Sequence, residues 1–207
     1  MRNTINYKQY EIAQKCNLLP KNNNGIIKIV YQCGTKSHDK DFKVCEKALI
    51  DIMKDYPNTE FYLIGDCTIS KEFEKYSNRL IKKDFMPYDK LLEYISTMDI
   101  NIAPLEIKQF NECKSELKLF ESALVKLPSI VSPTTPYKSI VKNGVNGYLA
   151  ATTEDWYSCF KNLIEKADFR KNIGEQAYKD FVPMFYIENN IDTIINSYKE
   201  IISNHKN

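Results

Sequence analysis

The run Asn111-Glu112-Cys113-Lys114-Ser115-Glu116-Leu117-Lys118-Leu119-Phe120-Glu121 sets two lysines and a glutamate at helical spacing. It falls where a short apolar run hands over to an amphipathic stretch. With Ser115 as the N-cap or first-turn residue, Lys114 and Lys118 lie in or beside the first turn. At about 100° per residue, Lys114, Lys118 and Glu121 share roughly 60° of one helix face. Cations at a helix N-terminus oppose the macrodipole, at a cost of roughly 0.3–1 kcal/mol each. A bound diphosphate removes that conflict, because the free N–H groups and both ammonium groups then point at one anion. Glu121, further along the helix, suits the two hydroxyls of a ribose. The same spacing also suits a solvated face carrying an i, i+3 Lys–Glu pair.

A second loop, Gly34-Thr35-Lys36-Ser37-His38-Asp39-Lys40-Asp41-Phe42, follows the first apolar run. Gly34 allows the backbone to approach a ligand. Lys40 stands at the start of the next helical stretch, within reach of a phosphate there. An ordinary turn with a surface lysine has the same composition.

These loops need a scaffold, and the chain supplies an alternating one. Short β-branched or apolar runs predict strands at Ile26 to Cys33, Phe61 to Ile64, Arg79 to Phe85, Asp99 to Pro104, Pro128 to Ser132 and Gly147 to Ala150. Between them, helical spacing predicts helices over Asp41 to Asp55, Tyr88 to Met98 and Ser115 to Lys126. Three helical stretches close the chain: Glu154 to Ala167, Asp168 to Phe181 and Ile187 to Ser203. The alternation predicts a single Rossmann-like, doubly wound parallel α/β sheet. Ligands of such sheets bind beyond the carboxyl ends of the strands, where both loops fall. The first 25 residues are polar and end in the loop-forming Pro20-Lys21-Asn22-Asn23-Asn24-Gly25.

The order of motifs resembles a family. Cys33-Gly34-Thr35-x-x-His38-Asp39-x-Asp41-Phe42 is followed by Tyr62-Leu63-Ile64-Gly65, Phe85-Met86-Pro87-Tyr88 and Asp99-Ile100-Asn101-Ile102-Ala103-Pro104. Then come Lys114-Ser115-x-x-Lys118-x-x-Glu121, Pro128-Ser129-Ile130-Val131 and Gly144-Val145-Asn146-Gly147-Tyr148-Leu149. The set is similar to the C-terminal, nucleotide-sugar-binding domain of group 1 (family 4-like) glycosyltransferases of the GT-B fold, from about Ile26 to the end. The resemblance implies roles. Lys40 takes the place of a phosphate-contacting lysine, and Thr35 stands where an arginine often accompanies it. Lys114, Ser115 and Lys118 would hold diphosphate and sugar, with both lysines acting on the leaving group. Glu121 would hold the ribose, and Phe85-Met86 would seat the base. Cys113 stands where many members carry a glutamate near the sugar.

The resemblance also divides the chain. Residues 1–25 correspond to an interdomain linker, 26–185 to the donor-binding domain and 186–207 to a C-terminal amphipathic helix. It implies a retaining glycosyl transfer from a nucleotide-sugar donor, with an acceptor-binding N-terminal domain missing or on another polypeptide. The isolated chain would then be inactive in transfer. A stand-alone nucleotide-sugar module and a fragment of a GT-B-type epimerase are the competing readings.

Composition limits the rest. Lys+Arg is 29 against Asp+Glu 27, which predicts no basic face for nucleic acid. Two histidines and no C-x-x-C pair predict no metal or other cofactor. Six cysteines without a disulfide-like pattern suit the reducing cytosol. No apolar run approaches the roughly 20 residues of an integral membrane segment, although the resemblance leaves peripheral membrane contact open.

Overall fold

The runs of β-branched residues form the strands they predict. A computed structural model describes residues 3–20, 24–34 and 39–204. Its centre is a six-stranded parallel sheet in the order β3-β2-β1-β4-β5-β6. The strands are β1 (Ile27–Gly34), β2 (Thr59–Gly65), β3 (Leu80–Lys83), β4 (Ile100–Ala103), β5 (Ser129–Val131) and β6 (Tyr148–Leu149). This is a doubly wound order, and its switch point lies between β1 and β4.

Both faces are covered, as parallel sheets require. On β1, Ile27, Ile29, Tyr31 and Cys33 point into one core cluster with Phe42, Leu49, Phe61, Trp156 and Phe160. That layer is built by α2 (Asp39–Asp55) and α7 (Thr153–Glu165), which pack on each other. Val30 points the other way, into a cluster with Leu92, Phe120, Leu124, Phe181 and Phe185. Here α1 (Tyr7–Asn17), α3 (Tyr88–Ile95), α5 (Leu117–Leu124) and α8 (Ala167–Phe185) form the layer. Two single-turn helices, α4 (Gln109–Glu112) and α6 (Thr135–Lys138), interrupt connections at the carboxyl end of the sheet.

Within the linker-like first 25 residues, the described part carries a helix that the sequence pattern does not point to. Asn6 and Gln9 make a reciprocal capping box, Gln9 N donating to Asn6 Oδ1 at 2.9 Å and Asn6 N to Gln9 Oε1 at 2.7 Å. That cap starts α1 despite a sparse apolar pattern, because only Ala13 and Cys16 need burial. The segment before α1 is fixed too. Ile5 is fully buried; its N–H donates to the Phe185 carbonyl at 2.7 Å, and its carbonyl accepts from Ile187 N at 2.9 Å.

The tail also departs from expectation. The helix expected to end at Phe181 continues through Pro183 to Phe185. The last one is a 3₁₀ turn, Ile187–Asn190, followed by α9 (Ile191–Asn204). The apolar stripe of α9 is uncovered: Ile191, Ile195, Tyr198, Ile201 and Ile202 are 42–57% exposed.

Candidate functional site

At the carboxyl end of the sheet two glycines meet. Gly34 ends β1 at φ 78° and Gly65 ends β2 at φ 99°. A Cβ on Gly65 would stand 2.7 Å from the Gly34 carbonyl oxygen and 2.9 Å from its nitrogen. Such approach and such φ leave room only for glycine. The next N–H, that of Asp66, donates to Gly34 O at 3.1 Å.

The β4–α5 connection lies on the other side of the switch point. Its first residues are pinned by Leu105 N donating to Ser132 Oγ at 2.8 Å. Glu106 N donates to Asp41 Oδ1 at 3.0 Å, and so does Asn111 Nδ2 at 2.7 Å. Lys114 follows α4; its ammonium pairs with Asp41 Oδ2 at 3.1 Å and lies 5.4 Å over the Phe110 ring.

Helix α5 begins at Leu117, with Glu116 as an N-cap that makes no side-chain capping bond. Lys114 and Ser115 therefore precede the helix, which corrects the expectation of Ser115 at its start. The two lysines do not share a helix face. They converge instead through the connection, from a turn and from the first turn of α5. The Ser115 hydroxyl accepts from Asn3 Nδ2 at 2.9 Å.

Lys118 is partly buried, its amine 5.0 Å over the Tyr31 ring. Loss of water, and then the charge of Lys114, push its pKa down to about 8; Asp41, Cys33 and Glu121 act in the opposite sense. Glu121 is only 4% exposed, which rules out the solvated-face reading for it. Burial raises its pKa to about 7, against the pull of Tyr88 and Lys118. The Tyr88 hydroxyl lies beside this carboxylate. An acid and a cation, both moved toward neutrality, thus lie a turn apart on α5, the kind of pair that clusters at functional sites.

Cavities open on these residues. One of about 650 Å³ is lined by Asn3, Glu112, Cys113, Lys114, Ser115 and Thr135 among others. A smaller one of about 230 Å³ is lined by Pro104, Leu105, Lys114, Ser115, Lys118 and Tyr137 among others. Lys114 and Ser115 border both. A more enclosed cavity of about 500 Å³ lies at the opposite end of the sheet, beside Ile27, Asp99 and Pro128. Among its lining charges, Lys126 pairs with Glu175 at 3.0 Å and Arg170 with Asp99 at 3.9 Å.

The other expected site residues scatter around this centre. Lys40 is exposed in the first turn of α2. Phe85 is 80% exposed after β3, whereas Met86 packs against the core. Thr35 lies outside the described residues. Asp41, Asn111 and Tyr88 belong to the site and were not singled out by spacing. An acid in a helix's first turn ordinarily answers the dipole alone, so Asp41 carried no separate signal. No group of three or more metal-ligating side chains occurs among the described residues.

A doubly wound α/β domain with convergent lysines at its switch point is a phosphate-binding type of architecture. The family described as glycosyl transferases group 1 matches residues 27–166, and this chain belongs to it. Similar solved structures agree in fold. The C-terminal domain of the group 1 protein LpcC from Francisella tularensis is 17% identical with a TM-score of 0.60, covering 86% of this chain and 93% of that one. HepE from Anabaena, solved with UDP and glucose, is 14% identical with a TM-score of 0.70, covering 93% of this chain and 52% of that one. A TarM variant from S. aureus, solved with UDP among its ligands, is 12% identical with a TM-score of 0.69, covering 86% and 36%. This chain thus spans about half or less of HepE and TarM. No curated protein matches the sequence.

Proposed function

We propose that this chain is the donor-binding half of a retaining, metal-independent glycosyltransferase. The observation that carries the reading is the convergence of Lys114 and Lys118 beside the N-terminus of α5, with buried Glu121 one turn further on. The diphosphate of a nucleotide-sugar would lie against the two ammonium groups and the first-turn N–H groups of α5, with Lys40 approaching from α2. Glu121 would accept the ribose hydroxyls, and Phe85 and Met86 would seat the base. Two lysines then supply the positive charge that a divalent metal supplies in other transferases. UDP in the HepE and TarM structures supports a nucleoside diphosphate as the ligand class.

The acceptor hydroxyl would attack from the face the diphosphate leaves, with retention. A second domain, in the same or another chain, would hold the acceptor. The partial coverage of HepE and TarM supports that division. Free thiols at all six cysteines support a reducing compartment. Among the described residues no helix is long and apolar enough to cross a membrane.

The test is calorimetric titration with UDP, GDP and ADP, with and without chelator. Binding of one of them that survives chelation is expected. A strict need for magnesium or manganese, or no binding of any, would overturn the reading.

A further inference from the structure

Asp41 lies in the first turn of α2 and is 2% exposed. A carboxylate there answers the helix dipole. That does not explain why donors from a distant connection converge on it. Its Oδ1 accepts from Glu106 N at 3.0 Å and Asn111 Nδ2 at 2.7 Å, and its Oδ2 from Lys114 Nζ at 3.1 Å. Asn111 is fully buried, and its amide also donates to the Glu106 carbonyl at 2.8 Å. The β4–α5 connection is thereby clamped to α2 at both of its ends.

We propose that Asp41 is the positioning residue of the diphosphate site, fixing the Lys114 amine and supplying the negative charge that lets two lysines serve one anion. This rests on the donor-site reading. An ammonium has three N–H donors. One is spent on Asp41, which leaves two for phosphate oxygens, so the ion pair orients Lys114 without having to break when an anion arrives. The charge matters as much as the geometry. Lys118 faces Lys114 from the connection, Asp41 from α2, Cys33 and the Tyr31 ring from β1, and Glu121 from its own helix. Lys114 drives protons off Lys118, and Asp41 opposes that effect. Without Asp41 the repulsion between the lysines is less screened, and Lys118 gives up its proton at a lower pH.

The experiment measures affinity for the tightest of UDP, GDP and ADP from pH 6.5 to 9, with the bare nucleoside as control. In the parent, affinity should fall as pH rises through about 8. Asp41→Asn should lower diphosphate affinity at least ten-fold at pH 7 and move that fall about one unit toward acid. Nucleoside affinity should stay unchanged. On a Lys114→Met background the Asp41→Asn loss should shrink, because the partner it positions is gone. Asn111→Ala removes a tether and keeps the charge, so it should weaken binding without moving the pH of the fall. An Asp41→Asn protein with the parent's pH profile and diphosphate preference would reduce Asp41 to a structural acid, whatever its melting temperature. Should Asp41→Asn not fold, full parental affinity in Asn111→Ala would equally overturn the proposal. Failure of the parent to bind any of the three nucleotides would instead remove the donor-site reading, and this proposal with it.

Discussion

The Lys118 amine stands 5.0 Å over the Tyr31 ring, a cation laid on the aromatic wall at the end of β1. The ring offsets part of the lost hydration. The remaining cost shows in a pKa brought down to about 8. Lys118→Met keeps the length and apolar body of the side chain. It should leave the melting temperature unchanged or raised, while diphosphate affinity falls at least ten-fold and nucleoside affinity holds. Equal diphosphate affinity in mutant and parent, by calorimetry, would take Lys118 out of the site.

The same lysine sets a pH dependence of stability. Its folded pKa is about 8 against 10.5 for the free side chain. Between those values the unfolded chain holds more protons, so stability rises with pH across that window. Denaturant titrations of parent and Lys118→Met at pH 8 and 10 should show a smaller gain with pH in the mutant.

Glu121 has the opposite sense. Its folded pKa is about 7 against 4.5. The stability this group contributes is fully present below 4.5 and is lost as pH rises through about 7. Glu121→Gln should flatten that loss and leave the protein no less stable at pH 8. Nucleotide affinity should still drop ten-fold or more, since charge-assisted hydrogen bonds are worth about 1.5–3 kcal/mol. A 2′,3′-dideoxy nucleotide should bind both proteins alike. A parent-like affinity of Glu121→Gln for the ordinary nucleotide would withdraw the ribose assignment.

Gly65→Ala should destabilise by more than about 2 kcal/mol, because it adds a left-handed φ penalty to a clash with the Gly34 backbone. Gly25→Ala is the control: its φ is 80° with nothing within 4 Å of the added carbon, so only the conformational cost of about 1–2 kcal/mol applies. Equal losses in the two, by denaturant titration, would mean the β1–β2 crossing tolerates a side chain.

Removing residues 191–207 should shift the melting temperature little, since the apolar stripe of α9 is exposed along its length. A large loss on truncation would show that α9 packs in solution against something the isolated domain supplies.

Much of this was legible in the sequence because it is local. Each strand run is short and β-branched or apolar, and each large helix after the first strand repeats its apolar residues on one face. The helix α1 escaped because its signal is a polar capping pair, Asn6 and Gln9, rather than a stripe. The start of α5 was misplaced by two residues. A serine reads as an N-cap, yet the turn of α4 carries Lys114 and Ser115 outside the helix. Asp41 was out of reach for a different reason. Its meaning depends on partners 65 to 73 residues away, brought to it by the crossover between β1 and β4.

The pairing of Ile5 with the chain around Tyr186 closes the folded body into a ring: the backbone leaves beside the point at which it came in. A body of that kind can be spliced as a cassette into a surface loop of another protein without spreading the loop's ends. It can equally be cut elsewhere and rejoined across 5 and 186 by a short bridge. Because the two segments run parallel, pulling on those two points would load both hydrogen bonds together in shear, which makes them the mechanical fuse of the domain.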